Sequence, residues 1–428
     1  MIFMKVLWIT YDIFPEAKSL ISKKAELKGT GGWMLGLANS LIENSATEIE
    51  ISVASISSLV KELTILKGEH ITHYVIPFGK GPSKYNKEHE LALKTVYETA
   101  RPDIVHIHGT ESSLGLSFLN ACPEAKTVVS IQGLTSISHR YFNCGIGFWQ
   151  ILKNFTLYTL LKGYTIIHQK RIFKAKGRNE IEIIKKAKHV IGRTGWDKTH
   201  CWAINPNAEY HFCNETLRDE FYTNDCWKYK NCNKHTIFLS QAWYPVKGLH
   251  MLLKAMPLIL REYPDTVVRI GGTNITSCKN IKERITISNY GKIISGLIKK
   301  YHLENNVQFI NQLNATEMKE EYLKCNVFVC PSTIENSSNS LGEAQILGVP
   351  CVSSFVGGVS DMIPDDACGK VYRFEEVEML AKCIVDTFRE SETFDNTIMR
   401  QVASARHSRE VNSLVQYNIY KYIIDNCN

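Results

Sequence analysis

The chain has 428 residues, 44% of them apolar and 22% charged, the balance of a globular protein with room for two domains of about 150 to 200 residues each. No window approaches the roughly 18 uncharged apolar residues of a membrane-spanning helix. The 13 cysteines are scattered without metal-type spacing, which speaks for reduced thiols in a cytosol. The formal net charge is +7, and the basicity is local, because residues 150–190 carry ten Lys/Arg against two Glu.

In chain order, "MIFMKVLWITYDIF" reads as a buried first strand, since Lys5 and Asp12 bound the apolar run and no small-residue cleavage site follows. "GGWMLGLANSLIE" opens a helix, "EIEISVAS" is strand-like, and the helical "ELALKTVYETARP" hands over to "DIVHIHG" and "KTVVSIQG". This β-α-β-α rhythm is that of a parallel sheet covered on both faces. A polar stretch at about residues 221–235 reads as a linker. The alternation then restarts with "TIFLSQ", "KGLHMLLKAMPLILREYP", "DTVVRIGG", "NNVQFIN", "NVFVCPS", "SLGEAQILG" and "VPCVSSF". The expected class is α/β, with two doubly wound Rossmann-like domains facing across a cleft. Their expected bounds are 1–222 and 235–405, and a helical segment, 406–428, packs back toward the first domain.

Ligands of open parallel sheets bind where strand ends lead into helices, and three such junctions stand out. In "KGTGGWML", Gly31 and Gly32 let the backbone approach a phosphate at a helix start, a plain flexible loop being the competing reading. In "YPVKGL", Lys247 precedes a helix after the first strand of the second domain, from where an ammonium can neutralise a diphosphate; a solvated lysine is the alternative. In "PSTIENSSNSLGEAQILGVPCV", Glu335 lies in a loop and Glu343 in what reads as the first turn of a helix, a position that capping chemistry would also explain. A carboxylate accepts well from vicinal sugar hydroxyls, and Ser337, Ser338, Asn339 and Ser340 add donors for phosphate or sugar. Together they suit a nucleotide sugar.

The E-x7-E spacing, with "PS" before it and "GVP" and "GGVSD" after it, resembles the signature of the family 4 retaining glycosyltransferases, which have the two-Rossmann GT-B fold. "YPVKGL", "RPDIVHIHG" and "GGWM" resemble further segments of that family in the same order. The resemblance implies that Glu343 holds the donor ribose, Glu335 the transferred sugar and Lys247 the diphosphate, approached by Gly31 and Gly32. It implies a UDP- or GDP-linked hexose as substrate, with neither cofactor nor metal. Two positions depart from the pattern. Ala242 stands where the family commonly has an arginine, leaving Arg193 as a candidate for that phosphate contact. Gln132 stands where a sugar-contacting histidine is common. Of His106 and His108, which lie along one strand, only one is expected to reach the cleft, and His108 is nearer the strand end. Asn214 and Glu215 are further candidates for acceptor or sugar contacts.

The stretch 150–190 interleaves aromatic and aliphatic residues with lysines and arginines, as suits an amphipathic segment on an anionic membrane, a solvated helix face being the alternative. No nucleic-acid module accompanies it. The resemblance implies a glycan or lipid-linked acceptor and a peripheral place on the cytoplasmic face of the cell membrane, in surface polysaccharide assembly such as capsule, exopolysaccharide or O-antigen. The competing readings are a GT-B epimerase and a non-catalytic nucleotide-sugar-binding partner.

Overall fold

A computed structural model describes residues 4–22, 32–44, 48–79, 85–278 and 280–426. Fourteen strands fall into two sheets. The first holds β1 (Met4–Ile9), β2 (Ile49–Ser57), β3 (Thr64–Lys67), β4 (Thr72–Pro77), β5 (Ile104–His108), β6 (Thr127–Ser130), β7 (His189–Gly192) and β8 (Glu209–Phe212). The second holds β9 (Thr236–Leu239), β10 (Val267–Ile270), β11 (Val307–Phe309), β12 (Val327–Cys330), β13 (Cys351–Ser354) and β14 (Lys370–Tyr372). The first runs β3-β4-β2-β1-β5-β6-β7-β8, with only the β3–β4 pair antiparallel, and the second runs β11-β10-β9-β12-β13-β14 with every pair parallel. In its own numbering the second order is 3-2-1-4-5-6, the doubly wound arrangement with a switch point between its first and fourth strands.

Strands buried on both faces read as unbroken apolar runs, and β1 does so: Val6, Leu7, Trp8 and Ile9 are all buried. Leu7 and Ile9 join one core layer with Val105, Ile107 and Phe118. Val6 and Trp8 join the opposite layer with Ile104, Val128 and the Tyr420 and Ile423 side chains of the helix Arg409–Asn426. The second sheet packs Phe238 and Phe328 with Tyr322, Leu341 and Met399.

The chain divides into two compact units, one of Met1–Ile137, Phe173–Thr216 and His407–Asn428, the other of Ser138–Ile172 and Leu217–Arg406. The C-terminal helix thus groups with the first sheet. Residues 138–172, expected in the first domain, group with the second. Buried polar groups tie them there: His250 Nε2 donates to the Cys144 carbonyl at 2.6 Å, and the Asn289 side chain donates to the Ile151 carbonyl at 3.1 Å and accepts from Ile166 N at 3.4 Å. These partners are more than a hundred residues apart in the sequence, beyond the reach of local pattern.

Candidate donor and acceptor sites

Lys247 follows β9 in a short 3-10 turn, Pro245–Lys247, and Glu335 lies in the loop after β12. Because β9 and β12 are the two strands at the switch point, these loops border the crevice where open α/β sheets take ligands. The Lys247 ammonium donates to Glu335 Oε1 at 2.5 Å, and Ser332 Oγ donates to the same oxygen at 2.7 Å. Burial works against the Lys247 charge, but the Glu335 carboxylate outweighs it and raises the pKa above the ordinary lysine value.

Two glycines make this approach possible. Gly248 has φ +71°, and a Cβ there would sit 1.7 Å from the Pro331 carbonyl oxygen, so only glycine lets the Lys247 turn close against the Glu335 loop. Gly357, at φ +54°, would place a Cβ 1.9 Å from the Glu335 carbonyl oxygen, which accepts from Gly358 N at 3.0 Å. The "YPVKGL" and "GGVSD" segments therefore brace one loop from two sides.

Ser338 is the N-cap of the helix Asn339–Ile346, its hydroxyl accepting from Leu341 N. Glu343 therefore falls in the second turn and not the first, so capping does not account for it. It is buried, with 4% exposure, and receives a bidentate pair from Arg218, Nε to Oε1 at 2.8 Å and Nη2 to Oε2 at 2.9 Å. Burial pushes the Glu343 carboxyl up, and Arg218 opposes that shift. A carboxylate has about four acceptor positions, so a bidentate arginine fixes its plane and leaves capacity for hydroxyls. Ser340 Oγ accepts from Ser240 Oγ at 2.9 Å, and Asn339 Oδ1 has no hydrogen-bond partner among the described residues. Ala242 is buried.

The first unit holds a cavity of about 190 Å³ lined by Tyr11, Asp12, Met34, His108, Glu111, Ser112, Gln132 and Lys176. Tyr11 and Asp12 follow β1, and Glu111 and Ser112 follow β5, neighbouring strands in the same sense as β9 and β12. His108 and Gln132 thus share one cavity. His106 and His108 share a face, since residues two apart on a strand point the same way, so alternation along the strand is not what separates them. Their rings stack at 3.7 Å, and burial pushes the His108 pKa well down. His106 touches the Tyr420 hydroxyl through Nδ1 at 2.6 Å and Ser130 Oγ through Nε2, so it belongs to the core and only His108 to the cavity.

Sequence reasoning missed Glu111, Lys176 and Arg218. Glu111 stands three residues after His108 in "HIHGTE" and accepts from Gly133 N at 3.1 Å; burial pushes its carboxyl up. The loops that carry it are held by the buried Glu180, which accepts from Thr110 Oγ1, Thr135 N and Oγ1, and Ser136 N at 2.8–3.2 Å. Arg193 and Glu215, assigned to different roles, form a buried ion pair with each other. Asn214 precedes that pair with its Oδ1 unpartnered among the described residues. Gly32 begins the helix Gly32–Glu43, and Gly31 lies outside the described residues.

Residues 227–400 match the family model described as "Glycosyl transferases group 1". Among curated proteins, the chain is 29% identical over 151 residues to spore coat protein SA of Bacillus subtilis, and 26% identical over 159 residues to the "Uncharacterized glycosyltransferase YqgM" of the same organism. These alignments span 34% and 37% of this chain and 37% and 40% of the relatives' length. Among solved structures, sucrose-phosphate synthase from Thermosynechococcus elongatus aligns with TM-score 0.70 at 15% identity, over 99% of each chain. Anabaena HepE, solved in complex with UDP-glucose, aligns with TM-score 0.66 at 15% identity, over 98% of this chain and all of that one. The second unit is therefore similar in sequence to the group 1 glycosyl transferases, and the chain as a whole has the GT-B fold, two Rossmann-like parallel-sheet units.

Proposed function

We propose that the protein is a retaining glycosyltransferase that moves a hexosyl unit from a UDP- or GDP-sugar to a glycan or lipid-linked acceptor in surface polysaccharide assembly. The observation that carries this reading is the Lys247–Glu335 contact at the β9/β12 switch point, set by Gly248 and Gly357. In the transfer, the bond between the anomeric carbon and the diphosphate oxygen breaks as the acceptor oxygen bonds to that carbon and gives up its proton to the departing diphosphate oxygen. Negative charge grows on the departing diphosphate, and a lysine fixed in a part-buried recess stabilises it more than water would. Lys247 takes that role, with the N-terminus of the helix Asn339–Ile346 offering further N–H groups. Glu335 holds hydroxyls of the transferred sugar and keeps the ammonium in place. Glu343, its plane fixed by Arg218, accepts from the ribose. Arg193 is buried with Glu215 in the first unit, whereas Lys247 stands in the loop after β9 at the switch point, so Lys247 is the cation assigned to the donor. His108, Gln132 and Glu111 line the acceptor side. HepE, of the same fold, is a UDP-glucose-binding protein, which supports a uridine donor first.

The membrane contact of this reading rests on the segment 148–164, where Phe148, Trp149, Leu157, Leu160, Leu161 and Tyr164 are all more than half exposed. Lys153 and Lys162 are exposed among them. Apolar side chains interleaved with ammonium groups fit the headgroup zone of an anionic bilayer. No described helix is long and apolar enough to cross a membrane; the contact proposed is a peripheral one, on the cytoplasmic face.

The test is a screen of nucleotide sugars by thermal shift, then release of nucleotide from the best binder with EDTA present. Specific release that Glu335→Gln abolishes with the fold intact supports a transferase whose donor chemistry needs no metal. Binding without release, even with lipid-linked acceptors added, sinks the catalytic reading and leaves a nucleotide-sugar-binding partner. Sedimentation with anionic but not neutral vesicles, lost in Trp149→Ser/Leu161→Ser, tests the membrane surface.

A further inference from the structure

β7 and β8 form the last pair of the first sheet, with β8 at its edge. Their register sets His189 opposite Glu209 and Ile191 opposite His211. Ladder partners share a face, as do residues two apart on one strand, so His189, Glu209 and His211 project from the same side. That side faces the C-terminal helix, whose Tyr422 ring meets both imidazoles edge-on at centroid distances of 6.4 Å and 5.8 Å. His189 Nδ1 lies 3.1 Å from His211 Nε2 and 3.5 Å from a Glu209 carboxylate oxygen. All three donor atoms fall within 4.8 Å of one another.

A tetrahedral ion with bonds of about 2.0–2.1 Å keeps its ligand atoms about 3.3 Å apart, a value the two measured separations bracket. Two imidazoles and a carboxylate form a donor set of the zinc type, with a fourth position for water. His189 is buried while Glu209 is exposed, so one ligand is anchored in the core and another opens to solvent.

We infer that His189, Glu209 and His211 form a divalent transition-metal site of the zinc class in the first unit. The ion clips β8, a four-residue edge strand with an exposed Phe212, onto β7. The site lies in the first unit, while Lys247, Glu335 and Glu343 belong to the second. It adds an ion to the protein and assigns the ion no part in donor chemistry. The sequence hides it because its residues are 20 and 22 positions apart, meeting only through strand register.

The test strips the full-length protein of metal and titrates it with Zn²⁺ against a chromophoric chelator, with thermal unfolding measured alongside. One equivalent should bind and raise the Tm. Glu209→Gln and His211→Asn should each weaken binding by more than the about 100-fold of a lost outer-shell partner and erase the zinc-induced shift, each variant being compared with its own metal-free Tm. Wild type without a stoichiometric site, or variants that bind as wild type does, would overturn the inference. Since the readout is binding and not transfer, it is independent of whether the transferase reading holds.

Discussion

At the switch point of the second sheet, the loops after β9 and β12 meet through opposite charges, Lys247 on Glu335, with a second pair, Arg218 on Glu343, nearby in the chain's fold. At the matching place in the first sheet, the loops after β1 and β5 border an open cavity that holds a neutral His108 beside Glu111 and Gln132. The same topology thus supports two kinds of site. A diphosphate carries fixed negative charge and calls for a fixed cation, whereas a hydroxyl-bearing acceptor calls for hydrogen-bonding groups of adjustable protonation. On the proposed reading, paired charges stand where the diphosphate would depart, whereas the cavity of the first unit mixes His108 and Gln132 with Asp12, Glu111 and Lys176.

The largest expected effect breaks the charged half of that comparison. Lys247→Ala should lower transfer by about 10³-fold, the scale of losing a positioned transition-state partner, and should also destabilise the second unit by leaving Glu335 unpaired. The double variant Lys247→Met/Glu335→Gln should recover most of the stability and none of the turnover. Chemical denaturation beside single-turnover kinetics separates the two, and recovery of turnover would show that the pair is only structural.

Next in size is the pH response of the buried histidines. His250 is pushed down to about 4 and His106 to about 3, in both cases first by burial. Between those values and the ordinary 6.5, the unfolded chain binds protons that the folded chain excludes. Stability is therefore full above pH 6.5 and is lost as pH falls through about 4, on the order of 3 kcal/mol for His250 alone. His250→Gln should flatten that acid limb, and an unchanged pH slope in the variant would refute the assignment.

The cavity half of the comparison is sharpened by Glu111→Gln. Transfer that depends on acceptor should fall about 10²-fold, the scale of a lost acid–base or orienting group, while slow hydrolysis of donor stays near wild type. Equal loss of both activities would mean that Glu111 only supports the loop through Gly133. The smallest effect belongs to Arg218→Lys. A lysine cannot reproduce the bidentate grip on Glu343, so the donor KM should rise about tenfold with kcat nearly kept. A fall in kcat with KM unchanged would put Arg218 in the reaction itself.

The second unit was far more legible in the sequence than the first, for reasons visible in particular residues. Lys247 with Gly248, Glu335, and Gly357 stand in three short segments, each readable on its own from residue type and neighbours. Glu111, Lys176 and Glu180 come together only because the helix Ile166–Lys186 crosses the loops after β5 and β6. Gly177 marks that crossing, since a Cβ there would lie 2.6 Å from the Ser136 backbone. The grouping of residues 138–172 with the second unit was hidden for the same reason.

By itself the sequence determined the strand-helix alternation, the α/β class, the two-sheet organisation and the turn chemistry around Lys247 and Glu335, because each depends on residues within a few positions of one another. Tertiary structure alone decided that Arg218 holds Glu343, that Arg193 is spent on Glu215, that His106 is core while His108 lines a cavity, and that His189, Glu209 and His211 converge. Side-chain partnership depends on strand order and register, and no local period in the chain encodes either.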